Sequence, residues 1–199
     1  AELFVDAIQA CGVVPLDVEA LQIDYLACGG HKWLMGLEGA GFVFMRRDRV
    51  GTSLDPWLAG WLSHEEPLAF LFEPGQLRYD RGIRQQASFV EGGATNALGY
   101  AGLGASVKLL LELGVEAIFA HVTTYLDHLE ARLIGELGLT SRRRRGRSAR
   151  SGILSVLPPE DIDLAAWSAA LAARGVACST PDGHLRFAPH WPNARDEVD

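Results

Sequence analysis

The sequence predicts an α/β fold in which a sheet of short buried strands precedes two long helices and a final α+β unit. Three observations support this prediction. Three short apolar runs within the first 45 residues are bounded by glycine or charged residues, as the strands of an α/β sheet usually are. Apolar residues then recur at helical spacing from residue 96 to residue 137. Residues 152–187 contain further short apolar runs, separated by a helical segment and a turn.

The apolar runs near the start are predicted as strands at residues 3–5, 25–28 and 41–45. Asp6 follows the first run directly, which is how a buried parallel strand ends at the carboxyl edge of a sheet. Gly29 and Gly30 end the second run, and Arg46 ends the third. Residues 52–86 are rich in proline and scattered aromatic residues, so we expect a long segment with little regular structure, of a kind that is often functional.

The second half of the chain predicts helices and a small sheet. Two amphipathic helices are expected over residues 96–113 and 115–137, ended by Gly114 and Gly138. The remaining elements are a strand at 152–157, a helix at 162–173 with Asp161 or Asp163 as N-cap, and strands at 176–178 and 184–187. Residues 196–199 resemble the opening turn of a further helix, so we expect both ends of the chain to belong to a longer protein.

Composition excludes several classes of protein. The 199 residues are 48% hydrophobic and 22% charged, which is typical of a soluble globular protein and not of a disordered or collagen-like one. No apolar run reaches the roughly 20 residues that span a bilayer, and no basic leader opens the chain, so neither a membrane nor a secretory route is expected. Three widely spaced cysteines suggest neither a disulfide framework nor a metal site. These features predict a cytoplasmic location.

Six arginines are concentrated between residues 142 and 150: Arg142, Arg143, Arg144, Arg145, Arg147 and Arg150. Subtracting their six positive charges from the net charge of −7 leaves −13 for the rest of the chain. Such an acidic body argues against nucleic-acid binding, which needs a broad basic face. We interpret the cluster as a solvated loop, and the alternative is a local anionic partner.

Lys32 is the more informative of the two lysines, because it follows Gly29-Gly30-His31 at the carboxyl end of a predicted strand. Sheets of this class bind ligands there, and a desolvated lysine amine can attack a carbonyl carbon. Asp6 ends another strand, where its carboxylate could hold a protonated ring nitrogen, and Gln9 could donate to an oxygen. A Schiff-base lysine, an acid for a pyridinium nitrogen and an amide for a phenolic oxygen are the groups that pyridoxal phosphate requires. Lys108 lies within a predicted helix and is interpreted as an ordinary surface lysine.

Several motifs follow one another along the chain: Phe4-Val5-Asp6-Ala7-Ile8-Gln9-Ala10, Gly29-Gly30-His31-Lys32-Trp33-Leu34, Gly39-Ala40-Gly41-Phe42, Gly60-Trp61, Glu91-Gly92-Gly93-Ala94-Thr95-Asn96 and Leu185-Arg186-Phe187-Ala188-Pro189-His190. Through these motifs the whole chain resembles the class V aminotransferase family, the fold-type I pyridoxal-phosphate enzymes that include cysteine desulfurases, kynureninase and isopenicillin N epimerase-like proteins. The resemblance implies that the chain is the C-terminal part of such a transferase.

The resemblance implies a role for each matching residue around pyridoxal phosphate. Lys32 would form the internal aldimine, and Asp6 would pair with the pyridine nitrogen. Gln9 would face the phenolic oxygen of the ring. His31 would lie near the cofactor phosphate, with simple packing under the loop as the alternative.

Further residues are implied in phosphate and substrate binding. Trp61 resembles a segment that meets the phosphate across a dimer interface, although a packing tryptophan is an equal alternative. Arg186 matches the arginine that binds the substrate carboxylate, the alternative being a surface arginine on a strand. Two positions depart from the family pattern. Gly29 replaces a phosphate-binding serine, and Ala94 replaces the inter-subunit threonine, which leaves Thr95 as the nearest hydroxyl.

The resemblance also implies an organisation. Residues 1–100 would be the remainder of the large cofactor domain, and residues 101–199 would hold a linking helix and the small C-terminal α+β domain. The expected activity is that of a class V aminotransferase-like enzyme on an amino-acid substrate, with a homodimer in the full-length protein. The alternatives are a non-catalytic fragment or pseudoenzyme and a cysteine desulfurase or lyase branch. The last is less favoured because Cys178 occupies a predicted strand position and is not in a recognisable nucleophile loop.

Overall fold

The fold is described from a computed structural model that covers residues 1–54, 56, 59–78, 80–144 and 146–199, without the side chains of Phe70 and Arg147. The described residues form two units. The first unit contains residues 1–8 and 16–107, and the second contains residues 9–15 and 108–199. No helix in the described ranges is both long enough and apolar enough to span a membrane.

The sheet of the first unit contains strands β1 (Phe4–Asp6), β2 (Tyr25–Gly29) and β3 (Gly41–Met45), in that order. β1 and β2 are parallel, and β3 is antiparallel to β2. All three predicted strands are therefore confirmed, within one residue at their ends. Leu26 and Cys28 are buried on one face of β2, as its alternating apolar pattern requires.

Asp24 links the segments at the amino-terminal edge of this sheet through hydrogen bonds and ion pairs. This residue is only 4% exposed, and its Oδ2 accepts the backbone N–H of Leu3 at 2.8 Å. Oδ1 accepts Nε of Arg49 at 2.8 Å and lies 3.1 Å from Nη1 of Arg46. The N–H of Leu3 and the Arg49 guanidinium hold the pKa of Asp24 below its ordinary value. One buried carboxylate thus joins the start of β1 to the segment after β3.

Residues 52–86, as far as the structure describes them, are mostly irregular, as predicted, and so are the residues that follow up to 96. The exceptions are the short helix α1 (Pro67–Phe72) and two 3₁₀ turns at Trp61–Ser63 and Ala87–Val90. Arg84 connects these two turns, because its Nη2 donates to the carbonyl of Leu62 at 2.6 Å and to that of Ser88 at 3.0 Å.

Two long helices follow: α2 (Ala97–Leu113) and α3 (Val115–Leu137). Their periodicity and the left-handed Gly138 made both predictable. Residues 97–107 of α2 belong to the first unit. The second unit contains the rest of α2, α3, an antiparallel sheet of β4 (Thr140–Ser141), β5 (Leu154–Leu157) and β6 (Leu185–Phe187), and the helix α4 (Leu164–Ala173). The fully buried side chains in this unit include Val122, Leu126, Leu154, Val156 and Leu185.

Local predictions in the second unit had mixed outcomes. Asp163 is the N-cap of α4, since its Oδ1 accepts the N–H groups of Ala165 and Ala166 at 3.0 Å. The strand predicted at residues 176–178 is wrong: the backbone pairs only at a single bridge between Ser179 and Arg186. Residues 195–198 form a 3₁₀ turn where the opening of a helix was expected.

The arginine cluster is only partly a solvated loop. Arg142 and Arg144 are exposed, whereas the side chain of Arg143 is 3% exposed. Its Nη1 lies 2.6 Å from Asp127 and 3.1 Å from Glu130, and Arg150 contacts the same carboxylates. The prediction is wrong for these two arginines, because Asp127 and Glu130 are three residues apart on α3 and present one acidic face. Arg145 and the side chain of Arg147 lie outside the described residues.

Candidate functional site

The carboxyl edge of the first sheet brings together three chain segments. β1 ends at Asp6 and β2 ends at Gly29, and because these strands are parallel they end at the same edge. β3 is antiparallel and begins at this edge with Gly41, which is paired with Gly29. The carboxyl ends of parallel strands are where α/β sheets bind ligands.

An open cleft of about 1030 Å³ lies over one face of this sheet, entirely within the first unit. Asp6, Ala27 and Val43 are register partners on neighbouring strands, and all three line the cleft. The opposite wall comes from the 3₁₀ turn at Ala87–Val90 and from the glycine-rich loop of residues 91–96. The sheet face that lines the cleft includes exposed apolar surface, since Phe4 lines the cleft and is 61% exposed. The volume is in the range of small-molecule sites.

Asp6 places an exposed carboxylate in this cleft. Its Oδ1 accepts the N–H of Ile8 at 3.1 Å, which fixes the turn that leaves β1. The next residue, Ala7, donates its N–H to the carbonyl of Ala27 at 2.8 Å, so the backbone on both sides of the carboxylate is held. Asp6 therefore has one bond to its own turn and faces a cavity, in contrast to the buried and fully bonded Asp24.

Lys32 and His31 lie on the loop between β2 and β3, here called the lysine loop (residues 30–40). Both side chains are exposed, and neither lines the cleft. His31 nevertheless approaches it, because a Cβ added to the cleft-lining Gly29 would be 3.2 Å from its Cε1. The same Cβ would be 3.0 Å from Cδ1 of Ile8. Glycine at position 29, where the family pattern has serine, thus makes room for the imidazole of His31.

Trp61 is half-buried in its 3₁₀ turn and does not line the cleft. This turn supports the wall from behind. Gly60 approaches Gly92 so closely that a Cβ would be 1.9 Å from the carbonyl oxygen of Gly92. Ser63 is buried, and its hydroxyl donates to the carbonyl of Phe89 at 2.5 Å. Sequence reasoning missed Ser63, and no signal could have found it, because its partner lies 26 residues away.

Thr95 and Ala94 are exposed and line the cleft at the start of α2. The following residue, Asn96, caps this helix, since its Oδ1 accepts the N–H of Gly99 at 2.9 Å. Its Nδ2 also donates to the carbonyl of Gly39 at 3.3 Å, which ties the glycine-rich loop to the lysine loop.

Gln9 and Arg186 belong to the second unit, so each is described by its contacts there. Gln9 is half-buried in the segment of residues 9–15. Arg186 is half-buried on β6, and its backbone exchanges hydrogen bonds of 2.8 and 3.2 Å with Ser179. Of the site residues predicted from sequence, Asp6 and Thr95 share one cleft. Among the described residues, no cluster of three or more His, Cys, Asp or Glu side chains has the geometry of a metal site.

Comparisons with known proteins agree with this architecture. Residues 1–190 match the family described as Aminotransferase class-V. The "uncharacterized aminotransferase YcbU" of Bacillus subtilis is 26% identical over 98% of this chain and 48% of its own length. A "probable cysteine desulfurase" of Streptomyces coelicolor is 29% identical over 89% of this chain and 41% of its own. The chain therefore spans about half the length of the curated relatives it matches.

A solved structure shows the same fold. The apo structure of a cysteine desulfurase from Thermococcus onnurineus NA1 superposes with a TM-score of 0.85 at 23% identity, over 100% of this chain and 50% of that one. The predicted fold class, a partial α/β domain of the fold-type I kind, is thereby confirmed.

Proposed function

Because the chain belongs to the class-V aminotransferase family, we propose that the carboxyl edge of its first sheet is a pyridoxal-phosphate site in an enzyme that acts on an amino acid. Members of this family depend on pyridoxal phosphate. The observation that carries the proposal is the exposed carboxylate of Asp6 in the cleft, at the same sheet edge as the lysine loop.

The chemistry of the available groups fits this cofactor. Asp6 offers an acceptor for a protonated ring nitrogen in a cleft of suitable size. Lys32 offers an exposed primary amine, and only one other lysine competes with it. Gly92, Gly93 and Thr95 supply backbone N–H groups and a hydroxyl on the opposite wall, which suit an anionic phosphate. When bound, pyridoxal phosphate supplies an aldehyde carbon and a pyridinium ring that accepts electrons.

We propose that Lys32 and Asp6 carry the chemistry. The amine of Lys32 would bond covalently to the aldehyde carbon of the cofactor with loss of water. Once the substrate amine has displaced it from that carbon, the free Lys32 amine would remove or return the proton at the substrate Cα. Asp6 would keep the ring nitrogen protonated through a charge-assisted hydrogen bond, which favours electron flow into the ring. The hydrogen bond that Asp6 accepts from the N–H of Ile8 supports this role, because it orients the carboxylate without neutralising its charge.

The remaining site residues are proposed as binding residues. Gln9 would donate to the phenolic oxygen of the ring, and His31 and Thr95 would lie near the phosphate. Arg186 would bind the substrate carboxylate with its planar guanidinium. Trp61 would meet the phosphate from across the interface of a homodimer. The closeness of His31 to Gly29 supports its part in this set, since Gly29 lines the cleft.

We extend the proposal to the whole protein. Residues 1–100 would be part of the cofactor domain, and residues 101–199 the linking helix and small domain. The full-length enzyme would be a cytoplasmic homodimer. The chain matches less than half of its first two curated relatives, so these statements concern a longer protein than the chain described here.

A cysteine desulfurase is the second candidate function, because relatives such as the Streptomyces coelicolor protein bear that name. Cys178 would then be the nucleophile. It is half-buried and precedes Ser179, which bridges to Arg186, the residue proposed to bind substrate. Replacing Cys178 with alanine in the full-length protein would abolish sulfide release from cysteine, assayed with dithiothreitol as the reductant, if this candidate is correct. An unchanged rate would exclude Cys178 from that role.

The main experiment treats the purified chain with pyridoxal phosphate, reduces it with borohydride and locates the modified amine by mass spectrometry. The assignment is simple, because the chain contains two lysines and one α-amine. We expect label on Lys32, lost in Lys32→Ala and retained in the matched control Lys108→Ala. Label spread evenly over Lys32, Lys108 and the α-amine would contradict a cofactor site in this chain.

A further inference from the structure

The lysine loop holds an unusual backbone conformation next to Lys32. Met35 has a φ of +55°, in the left-handed region that residues with a side chain rarely adopt. In this conformation the N–H of Met35 donates to the carbonyl of Lys32 at 2.9 Å, and the N–H of Gly36 donates to that of Gly30 at 2.8 Å. These bonds close a turn around Lys32. Such a conformation persists only where the surroundings hold it.

Helix α2 supplies these surroundings through two side chains, one apolar and one polar. Leu103 is buried against the lysine loop, since a Cβ at either Gly30 or Gly36 would be 2.9 Å from its Cδ1. Three residues further along the helix, the hydroxyl of Ser106 donates to the carbonyl of Leu34 at 2.7 Å. Residues three apart lie on one face of a helix, so both side chains face the loop.

The hydrogen bond from Ser106 is made to the same peptide group that is hydrogen-bonded to Lys32. The carbonyl of Leu34 and the N–H of Met35 belong to one planar peptide unit. The hydroxyl of Ser106 donates a hydrogen bond to the oxygen of this peptide unit, and the N–H of the same unit donates to the carbonyl of Lys32. The orientation of this unit therefore fixes both the left-handed Met35 and the backbone of Lys32.

We propose that Ser106 is a positioning residue that orients Lys32 through the peptide between Leu34 and Met35. The inference rests on the proposed function, because Lys32 is there the amine that bonds to the cofactor. Ser106 lies 72 residues from Leu34 and outside the cleft, and none of the motifs that suggested the family includes it. Its role is to keep an exposed amine on a defined backbone, and it does not touch the reacting atoms.

The test measures hydrogen exchange in the lysine loop of the purified chain and of Ser106→Ala. We expect exchange in peptides covering residues 33–37 to be faster by about tenfold, because the turn opens locally. Peptides from α3 should be unchanged. Ser106→Thr keeps a hydroxyl and should restore protection, whereas Ser168→Ala removes a serine hydroxyl from α4 and should have no effect on the loop. Should Ser106→Ala not fold, Ser106→Cys replaces the hydroxyl with a weak donor and gives the same measurement.

Borohydride labelling with pyridoxal phosphate then tests the consequence for Lys32. We expect a lower ratio of label on Lys32 to label on Lys108 in Ser106→Ala, restored in Ser106→Thr. Unchanged exchange at residues 33–37, equal acceleration throughout the first unit, or faster exchange with an unchanged labelling ratio would each overturn the inference. If the wild-type chain carries no label on Lys32, the proposed function fails, and the exchange data alone then support or overturn the backbone role of Ser106.

Discussion

The carboxylates at the two edges of the first sheet differ in burial and in hydrogen bonding. At the amino-terminal edge, Asp24 is buried and bonded to the N–H of Leu3 and to two arginines. At the carboxyl edge, Asp6 is exposed in an open cleft and accepts one N–H from its own turn. Both edges belong to the same three strands, so the difference arises from the residues at the strand ends and in the segments that flank them.

This difference indicates that the carboxylate at one edge stabilises the fold, whereas the carboxylate at the other edge is available to a ligand. A buried charge with several partners holds distant segments together, and removing a partner is strongly unfavourable. A carboxylate left exposed beside apolar surface contributes little to folding, which is the pattern of a surface kept for a ligand. The carboxyl edge also holds the left-handed Met35 and the close approach of Gly60 to Gly92.

The largest expected effect on stability is that of Asp24→Asn. This change removes the carboxylate charge that pairs with Arg46 and Arg49, so we expect a large fall in the free energy of unfolding, measured by urea denaturation at pH 7. The matched control is Asp6→Asn, which should change that free energy by less than about 0.5 kcal/mol. Equal losses in the two variants would remove the contrast between the edges.

Gly30→Ala tests the packing beneath the lysine loop. The added Cβ would be 2.9 Å from both the carbonyl of Ala40 and Cδ1 of Leu103, and such overpacking destabilises by about 1–3 kcal/mol. Gly93→Ala is the matched control, because nothing lies within 4 Å of its added Cβ. Urea denaturation of both variants is the measurement. A Gly30→Ala chain as stable as the wild type would show that the loop is not held against α2.

Acid should weaken the amino-terminal edge. The folded chain lowers the pKa of Asp24, and bonding to Arg46 lowers the pKa of Asp48 to about 2. A carboxyl group whose pKa is lower in the folded state stabilises the fold above its unfolded pKa of about 4, and this stabilisation is lost as the pH falls toward the folded value. We therefore expect the urea concentration at the midpoint of unfolding to decrease as the pH is lowered from 4 to 2. In Asp48→Asn the fall should be shallower, and an identical slope would contradict this assignment.

The smallest expected effect is that of Lys108→Ala. The Lys108 side chain is exposed on α2, and Nζ lies 4.0 Å from Oε1 of Glu112. An exposed pair of this spacing contributes about 0.3–0.5 kcal/mol, and alanine has a slightly higher helix propensity. Thermal denaturation should detect little change. A loss above about 1 kcal/mol would show that Lys108 has a structural role, and it would then be an unsuitable control for Lys32.

Much of the fold was predictable because its signals are local. The bounds of α3 follow from apolar periodicity and from Gly138, and the N-cap of α4 follows from Asp163. The Asp24 cluster was missed, because its partners at Leu3 and Arg49 lie 21 and 25 residues away. Burial of Arg143 was missed for the same reason, since its acidic partners lie on α3.

The candidate site was predictable in its residue types and less so in its arrangement. Asp6 at a strand end pointed to the carboxyl edge, and the structure gives it a cleft there. Nothing local to Lys32 indicates that Ser106 donates a hydrogen bond to its loop, because that contact forms only when α2 packs against the lysine loop. Sequence patterns identify the groups that bear chemistry, whereas the contacts that orient them depend on the tertiary fold.

We propose that Asp6 and Lys32 form one site at the carboxyl edge. The most direct test compares, after treatment with pyridoxal phosphate and borohydride, the ratio of label on Lys32 to label on Lys108 in the wild-type chain and in Asp6→Asn. We predict a ratio well above one in the wild type and close to one in the variant. A ratio that is the same in both chains would contradict this proposal, because the reaction of Lys32 would then be independent of Asp6.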